Sequence, residues 1–385
     1  MPNLNSAATG TIPSATDTDT ASASHDSASG KDASVAKEPV RAKVGLRPKA
    51  TTILDVAARA SVSHQTVSRV LNDHPAVAPA TRSRVLAAMH DLDYRPNAAA
   101  RHLAGRRGHT VGVLVYGVSY FGPTQMLASV EQAARARGYS VTVIFVHDLS
   151  VQGIEEGVRA LRAGRVDGII MITPLHQVEA SRHHEILDDV PYVLVDAEPM
   201  PDRAVVAIDQ FAGGRAAALH IALLGHRRIA VLRGPDEWYD ATSRYQGTLS
   251  LLAQRRLLPV LTLSGDWTAA SGYQVTCDAL AQGAAFTALI AANDQMAVGA
   301  MRAIQETGKV VPADVSVIGF DDLPESAYFN PPLTTVRQDF RALGAASLER
   351  LIDLIETPQQ NPPSSVLVPT LTIRGSTAAP PVDKI

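Results

Sequence analysis

The N-terminal fold is decided by the stretch Asp55-Val-Ala-Ala-Arg-Ala-Ser-Val-Ser-His-Gln-Thr-Val-Ser-Arg-Val-Leu-Asn72. Apolar residues recur at helical spacing up to Ala60, and a second helical run begins at about His64. Ser63 is well placed as the N-cap of that run, because its hydroxyl can accept a free backbone N–H of the first turn. Two short helices joined by a three-residue turn predict a helix-turn-helix.

The second helix of this pair has a polar face opposite an apolar stripe. Val67, Val70 and Leu71 form the stripe, and the polar face carries His64, Gln65, Ser68 and Arg69. The second helix of a helix-turn-helix lies in the DNA major groove, where Gln can pair with adenine and Arg with guanine. The pattern therefore favours DNA binding; a small amphipathic hairpin without that role is the alternative.

Helical patterns continue beyond this pair. Residues 79–92 predict a third helix, whose buried face would carry Val85, Leu86 and Met89. Pro96 ends that region, because proline cannot continue a helix. Residues 98–105 favour a further helix that is too short to be stable alone. We interpret it as a hinge that folds only against another surface, with Leu103 as its one large apolar residue; a plain linker is the alternative.

Charge is distributed unevenly along the 385 residues, which carry a formal net charge of −3. Residues 41–109 contain twelve basic and four acidic side chains, whereas residues 1–40 have a net charge of −3 and the remainder −8. A basic block beside an acidic body is typical of a module that binds phosphates while its partner domain does not. Residues 1–50, with few large apolar side chains, are predicted to be a disordered extension.

Cysteine content and hydropathy exclude several classes of protein. Cys277 is the only cysteine, so the chain cannot form an intramolecular disulfide, and we expect neither a metal site nor a cofactor. No apolar run approaches the length of about 18 residues that a membrane span requires. The N-terminus lacks the charged and apolar segments of a secretion signal. We therefore expect a cytoplasmic protein.

Beyond residue 110 the chain alternates apolar strands with helices. Predicted strands cover 111–116, 140–146, 168–172, 192–196, 229–233, 288–292 and 315–320, and the main predicted helices cover 123–137, 151–163, 212–224, 241–255, 270–282 and 295–307. Continuous apolar strands separated by helices predict parallel sheets covered on both faces. The pattern restarts after residue 196, which predicts two successive halves and an α/β body of two lobes. Ligands of such bodies bind where strand carboxyl ends face a crevice.

Several motifs together resemble the LacI/GalR family of bacterial transcription regulators. The resemblance runs from about Thr52 to Thr377, and its most specific motifs are Ser63-His-Gln-Thr-Val-Ser-Arg69, Tyr94-Arg-Pro-Asn97, Gly265-Asp-Trp-Thr-Ala-Ala-Ser-Gly272, Ala292-Asn-Asp-Gln-Met-Ala-Val-Gly-Ala-Met-Arg302 and Pro331-Pro-Leu-Thr-Thr-Val-Arg-Gln-Asp-Phe340. It implies a helix-turn-helix headpiece, a hinge helix and a two-lobed body like that of periplasmic binding proteins. The implied domains are 1–50 (extension), 51–95 (DNA binding), 96–109 (hinge), 110–377 (effector binding and dimerisation) and 378–385 (tail).

The resemblance also implies a function: a homodimeric repressor that binds a pseudo-palindromic operator and is released by a sugar. The DNA-binding positions it implies are Leu54, Ser63, His64, Gln65, Thr66, Ser68, Arg69, Asn72, Asn97 and Leu103. Leu103 would wedge into the minor groove and kink the DNA. One family member that this chain resembles has Tyr where His64 stands, so operator preference is expected to differ there.

For the sugar effector, the resemblance implies seven positions: Asp196, Arg244, Trp267, Asn293, Asp321, Gln338 and Phe340. Carboxylate, amide and guanidinium groups pair with vicinal hydroxyls, and aromatic rings stack on the C–H face of a pyranose. This set favours a galactoside-type sugar. Taken singly, the two aspartates could instead cap helices, Trp267 could be a core residue and Arg244 could form a surface ion pair.

The first-lobe side of the crevice departs from that family member. Pro123 is retained, whereas Tyr116 and Tyr120 are bulkier than their counterparts, and Tyr116 would fill space near the sugar or its aglycone. The C-terminal tail lacks leucine heptads, which predicts that assembly stops at a dimer. The alternative classes of protein are a sugar-transport binding protein and an enzyme that uses paired carboxylates in glycoside hydrolysis. Residues 52–105 argue against the first, and the lack of a recognisable catalytic motif argues against the second.

Overall fold

The computed structural model describes residues 51–71, 74–94, 108–174, 184–187, 190–201, 203–357 and 364–381. The chain divides into two compact units, Met1–Tyr94 and Arg95–Ile385, and each is described by itself. The helices of the first unit are α1 (Ile53–Ala60), α2 (His64–Leu71) and α3 (Pro79–Asp91).

Local hydrogen bonds set the limits of the first two helices. Thr52 and Asp55 form a reciprocal capping box at the start of α1, which ends where Ser61 adopts a left-handed conformation with φ of 52°. The Ser63 hydroxyl accepts the backbone N–H of Thr66 at 3.2 Å, which confirms the predicted N-cap of α2. The chain therefore turns within three residues between the two helices.

One residue from each helix lies at the centre of the headpiece core: Val56, Val67 and Val85 are each fully buried. The predicted apolar faces of α1 and α2 are confirmed, although Leu71 is only half-buried. The predicted face of α3 was wrong at Leu86, which is 52% exposed. The helical period instead brings Ala88, three residues after Val85, onto the buried face.

The second unit contains two six-stranded sheets and the helices that cover them. Its first part comprises β1 (Thr110–Tyr116), α4 (Phe121–Ala136), β2 (Ser140–Val146), α5 (Val151–Ala163), β3 (Gly168–Ile172), α6 (His184–Leu187), β4 (Tyr192–Val195) and β5 (Val205–Ile208). Its second part comprises α7 (Gln210–Leu223), β6 (Ile229–Arg233), α8 (Tyr239–Gln254), β7 (Leu261–Ser264), α9 (Ala269–Ala281), β8 (Ala288–Ala291), α10 (Asp294–Glu306), β9 (Ser316–Asp321) and a 3₁₀ turn (Pro324–Ala327). The chain ends with β10 (Thr334–Arg337), α11 (Phe340–Glu356), β11 (Ser365–Leu367) and β12 (Thr370–Thr372).

Each sheet forms the centre of one lobe. The first lobe has the strand order β11-β5-β4-β3-β1-β2, with every described pairing parallel. The second lobe has the order β12-β10-β9-β8-β6-β7, in which β12 pairs antiparallel with β10. The predicted α/β class of two parallel-sheet lobes is therefore confirmed, with one antiparallel edge strand.

The lobes are not two successive halves of the chain, and that prediction was wrong. After β10 the chain returns to the first lobe, where α11 buries Leu343, Leu348 and Leu351 in the core with Val111 and Val113. β11 then extends the first sheet, and β12 returns to the second. The lobes are thus joined at three points, near residues 209, 339 and 369.

The strand and helix ranges that were predicted for the body agree with the observed ones to within two residues. No counterpart was predicted for β5, β7, α11 or the short strands β10 to β12. Within the described ranges, no helix is long and apolar enough to cross a bilayer.

A buried histidine anchors the C-terminal segment to the second lobe. His226 is 1% exposed, its Nδ1 lies 3.0 Å from the Thr287 hydroxyl, and its Nε2 lies 2.8 Å from the Ala378 carbonyl oxygen. Because a carbonyl oxygen only accepts, Nε2 carries a proton and donates it to Ala378. Burial lowers the pKa of His226 below its ordinary value of 6.5.

We expect His226→Gln to make stability less sensitive to acid. Because the folded-state pKa lies below the unfolded-state value of 6.5, the histidine's contribution is present above that value and is lost as pH falls through the lowered pKa. Thermal melts of both proteins from about pH 8 to about pH 5 measure this. The wild type should lose its stability advantage over the variant as pH falls. An advantage that does not change with pH would contradict the prediction.

Candidate DNA interface and effector cleft

Helix α2 exposes the side chains that the sequence predicts for DNA contact. His64, Gln65 and Arg69 are exposed, whereas Val67 and Val70 on the opposite face are buried. Gln65 and Arg69 stand one helical turn apart and so share one face. Leu54 of α1 is also exposed, at 63%.

Ser63 immediately precedes α2, and Thr66 and Ser68 belong to the helix. The Ser63 hydroxyl is used as the N-cap and lies 3.0 Å from the hydroxyl of Thr66, and Thr66 and Ser68 are half-buried. Asn72, Asn97 and Leu103, together with the predicted hinge helix, lie outside the described residues. The DNA-contact roles of all ten positions remain predictions.

The second unit contains a cleft between its lobes, where the carboxyl ends of strands from both sheets meet. Its lining includes eight of the ten predicted effector residues, namely Tyr120, Pro123, Asp196, Arg244, Trp267, Asn293, Asp321 and Gln338. The sequence did not single out the other nine: Phe121, Gly122, Met126, Ile172, Thr173, Pro174, Val195, Trp238 and Asp240.

A buried set of side chains, here called the polar network, forms one part of the cleft. Its members are Asp196, Gln210, Asp240, Arg244, Asp321 and Gln338, none of them more than 7% exposed. The Gln210 amide donates to Asp196 Oδ1 and to Gln338 Oε1, both at 3.0 Å. The Gln338 amide donates to Asp321 Oδ1 at 2.6 Å. Amides thus link carboxyls from both lobes.

Arg244 supplies the positive charge of the polar network. Its Nε donates to Gln210 Oε1 at 2.8 Å, and its Nη1 donates to the carbonyl oxygen of Ala292 at 2.7 Å. Nη2 donates to Asp240 at 3.3 Å, and Nη1 lies 3.7 Å from Asp321 Oδ1. The guanidinium also lies 4.0 Å from the ring centroid of Phe320. This is a buried, fixed arginine and not the surface ion pair that the sequence left open.

Burial controls the ionisation of the carboxyls in the polar network. Desolvation raises the pKa of Asp196 to about 7, with a further rise from Asp240 and opposition from Arg244. Desolvation raises the pKa of Asp321 to about 8, and Arg244 again opposes it. Both carboxyls therefore exchange protons near neutral pH, so each can act as a hydrogen-bond donor as well as an acceptor.

A second set, here called the aromatic cluster, forms another part of the cleft wall. It consists of Tyr116, Tyr120, Trp238 and Trp267. The Trp238 ring lies 5.7 Å from that of Tyr116, 5.3 Å from that of Tyr120 and 5.7 Å from that of Trp267, the last two in edge-to-face geometry. Tyr116 supports the cluster from outside the lining, whereas the other three rings line the cavity.

Two polar atoms at the cleft lack a partner in the described part of the chain. They are Nε1 of Trp267 and Oγ1 of Thr173, both buried. Trp267 belongs to the second-lobe core, as the alternative interpretation proposed, and also lines the cavity. Buried polar groups are almost always hydrogen-bonded, so a donor and a hydroxyl without partners beside a cavity indicate a site for a polar ligand.

Three cleft residues have backbone conformations that non-glycine residues seldom adopt. Asp196, Trp267 and Asp321 have φ of 56°, 76° and 110°. Such conformations cost about 1–3 kcal/mol each and concentrate at functional sites. The two aspartates do not cap helices, because the N-caps of α7 and α11 are Asp209 and Asp339.

Asn293 and Phe340 are placed differently from what the sequence suggests. Asn293 lines the cleft, but its Oδ1 accepts the Met296 N–H to cap α10 and its Nδ2 donates to the Trp267 carbonyl oxygen at 2.9 Å. Phe340 is not among the cleft-lining residues; it packs in the first-lobe core, 5.9 Å from the Phe121 ring. The first residue of α11 faces the sheet, because that helix covers the first lobe.

Family models match both units of the chain. Residues 52–97 match the model of bacterial regulatory proteins of the lacI family, and residues 218–377 match the model of a periplasmic binding protein-like domain. The first match covers the helix-turn-helix, and the second includes most of the second lobe. The protein is thus a transcription regulator that combines a DNA-binding headpiece with an effector-binding body.

Individual relatives extend that match along most of the chain. The lactose operon repressor of Escherichia coli (strain K12) is 39% identical over 332 residues, covering 86% of this chain and 92% of the relative. The transcriptional repressor PurR of Haemophilus influenzae is 32% identical, covering 79% and 91%. The chain belongs to the LacI family. Like these relatives, it is a DNA-binding transcriptional repressor and not an enzyme.

Solved structures of relatives have the same fold. A lac repressor dimer bound to operator and the anti-inducer ONPF has a TM-score of 0.81 and 38% identity, covering 86% of this chain and 100% of that one. A complex of the regulator CelR with cellobiose has a TM-score of 0.64 and 30% identity, covering 85% and 99%. The two-lobed body and the headpiece therefore recur together in this family.

Proposed function

We propose that this protein represses transcription as a dimer on a pseudo-palindromic operator and is released by a galactoside-type sugar held between its lobes. The observation that carries the effector part is the cleft itself. It combines a buried polar network with two unpartnered polar atoms, Trp267 Nε1 and Thr173 Oγ1. A ligand rich in hydroxyl groups can satisfy both atoms and also pair with carboxyls and amides.

The sugar class is supported by chemistry and by relatives. Carboxyls with pKa values near neutrality both donate to and accept from hydroxyls, which suits a polyol without net charge. Among the relatives, CelR is solved with cellobiose, a LacI family regulator from Enterococcus faecium with ribose, and the lac repressor with ONPG. The choice of a galactoside rests on the effector positions that resemble those of the lactose operon repressor.

The DNA-binding part rests on the exposed face of α2. Two headpieces related by a two-fold axis would read half-sites about 34–36 Å apart, or a multiple of that distance. Gln65 and Arg69 would contact base edges, and His64 would change the base preferred beside them. Because a bacterial repressor acts on the chromosome, the proposal includes a cytoplasmic location. We propose dimerisation because the similar lac repressor is a dimer when bound to its operator.

Release of DNA requires that the sugar favour one arrangement of the protein over another. An effector shifts such an equilibrium only by its differential affinity for the two states. Asp196 belongs to the first lobe, and Arg244 and Asp321 belong to the second. A sugar that contacts both lobes through these side chains would bind one arrangement of the lobes more tightly than another. The arrangement with sugar bound would separate the hinges and withdraw Leu103 from the operator.

The two tryptophans of the chain, Trp238 and Trp267, both line the cleft, so selectively excited tryptophan fluorescence reports on it alone. We expect saturable changes in tryptophan emission with galactosides and much smaller ones with the matching glucosides. Sedimentation in the same buffer should give a dimer. A response to another sugar and not to galactosides would assign the effector to that other class of sugar. No response to any sugar would contradict the effector proposal.

A further inference from the structure

The first lobe fixes the residues through which the chain enters it. Asp167, which directly precedes β3, accepts the backbone N–H of Gly108 on Oδ1 and that of Thr110 on Oδ2, both at 3.0 Å. Its own N–H donates to the carbonyl oxygen of Thr110 at 2.8 Å. The two oxygens of one carboxylate therefore bind the chain on either side of His109.

Strand β2, on the other side of β1, binds the same segment. The N–H of Ser140, the first residue of β2, donates to the carbonyl oxygen of His109 at 2.8 Å, and the His109 ring lies 4.9 Å from the ring of Tyr139. His109 has φ of 47°, a left-handed conformation that non-glycine residues seldom adopt. Residues 108–110 are thus fixed in one turn between the starts of β2 and β3.

Asp167 extends this attachment upstream of the sheet. β1 pairs with β2 from Thr110 onward and with β3 from Val111 onward, so Gly108 precedes both pairings. Gly108 is also the first described residue after the predicted hinge helix, residues 98–105. A hydrogen bond that a carboxylate accepts is stronger than one between neutral groups. The Asp167 side chain therefore ties the end of the linker to the lobe.

We infer that Asp167 is a positioning residue that makes the end of the hinge move with the first lobe, and so transmits the effector state of the cleft to the DNA-binding end of the chain. The inference rests on the proposed effector function. Asp167 lies at the amino end of β3, whereas the cleft lies at the carboxyl ends of the strands, so the residue acts at a distance from the sugar.

Stiffness of this attachment is what transmission requires. An effector alters DNA affinity only through a coupling free energy between the two sites. A hinge that is joined to the lobe by a fixed turn follows any displacement of the lobe, whereas a loosely tethered hinge averages the displacement out. A loose hinge must also lose more conformational entropy when it binds the operator. Loss of Asp167 should therefore weaken operator binding and also weaken its control by sugar.

Removing the carboxylate tests this inference directly. In anisotropy titrations at fixed salt, Asp167→Ala should bind the operator about tenfold more weakly, the effect of losing one charge-assisted hydrogen bond. The factor by which saturating galactoside lowers operator affinity should shrink by about threefold or more, because the lobe then moves without the hinge. Galactoside affinity of the DNA-free protein, measured by tryptophan emission, should stay within about twofold of the wild type. General damage to the lobe would lower that affinity as well.

Asp148→Ala is the matched control. Asp148 is exposed in the same lobe, and its carboxylate also accepts a backbone N–H, that of Ser150 at 2.9 Å. Its removal should leave operator affinity and the release factor unchanged. Gly108→Pro deletes the donor that Asp167 binds, so it should reproduce the defect of Asp167→Ala. Combining these two changes should add little, because both break the same attachment.

Several results would overturn the inference. Wild-type operator affinity and release in Asp167→Ala would do so, and so would a loss of sugar affinity as large as the loss of operator affinity. If Asp167→Ala does not fold, Asp167→Asn, which keeps one acceptor oxygen, replaces it and should show a smaller defect in the same direction. If no sugar releases the wild type, the proposed effector function fails. A loss of operator affinity in Asp167→Ala and Gly108→Pro but not in Asp148→Ala would then still support the attachment, and its absence would overturn it.

Discussion

Arg244→Ala is expected to abolish effector-dependent release of DNA and to destabilise the second unit. Its guanidinium lies 3.3 Å from Asp240 and 3.7 Å from Asp321, and it opposes the rise that burial causes in the pKa values of Asp196 and Asp321. Removing one partner from a buried ion pair costs on the order of 3–5 kcal/mol. Effector affinity should fall by about 100-fold or more.

Thermal unfolding and operator release measure these two effects separately. Arg302→Ala is the matched control, because Arg302 forms an exposed pair with Glu306 that contributes little to stability. Arg244→Lys keeps the charge but loses the planar fork that reaches Gln210, Ala292 and Asp240, so an intermediate defect is expected. Normal effector release by Arg244→Ala would contradict the role given to the polar network.

The double variant Gln65→Ala/Arg69→Ala is expected to lose specific operator binding while retaining its response to effector. Each bidentate base contact contributes about 1–3 kcal/mol, so the pair should weaken operator binding by at least about 30-fold. Both side chains are exposed on α2 and contribute nothing to the buried core of the headpiece. Titration of labelled operator at fixed salt measures the loss, and tryptophan fluorescence should still report sugar binding.

Arg84→Ala is the matched control for the lost charge. Arg84 is also exposed in the headpiece but belongs to α3. Its removal should change the salt dependence of binding without changing the preference among operator sequences. If Arg84→Ala and the double variant weaken binding to specific and unrelated DNA alike, α2 does not read bases.

The sequence predicted those parts of the fold that have strong local patterns. Helical spacing and the Ser63 cap located α2, and long apolar strands located the parallel sheets. The sequence did not predict the return of α11 to the first lobe, because the short strands around that crossing have weak sequence patterns. β10, β11 and β12 have three or four residues each, too few for a period to emerge.

At the site, the effector positions were named from the family resemblance, and two polar residues near helix starts were missed. Asp196 and Asp321 stand out after apolar strands, whereas Gln210 and Asp240 begin α7 and α8 and look like ordinary polar helix residues. The spacing of Asp240 and Arg244, four residues apart on one helix, was an available indication of their pairing. Trp238 gave no comparable indication, because its role depends on rings that are distant in sequence.

The central claim, that a sugar in the cleft controls DNA binding, is tested most directly by fluorescence anisotropy. The protein is first bound to a labelled symmetric lac-type operator at fixed salt, and a galactoside or the matching glucoside is then added. We predict tight binding that the galactoside reverses over the same concentration range in which it changes tryptophan emission. Emission that saturates while the operator stays bound would contradict the account, because the cleft would then bind sugar without controlling DNA.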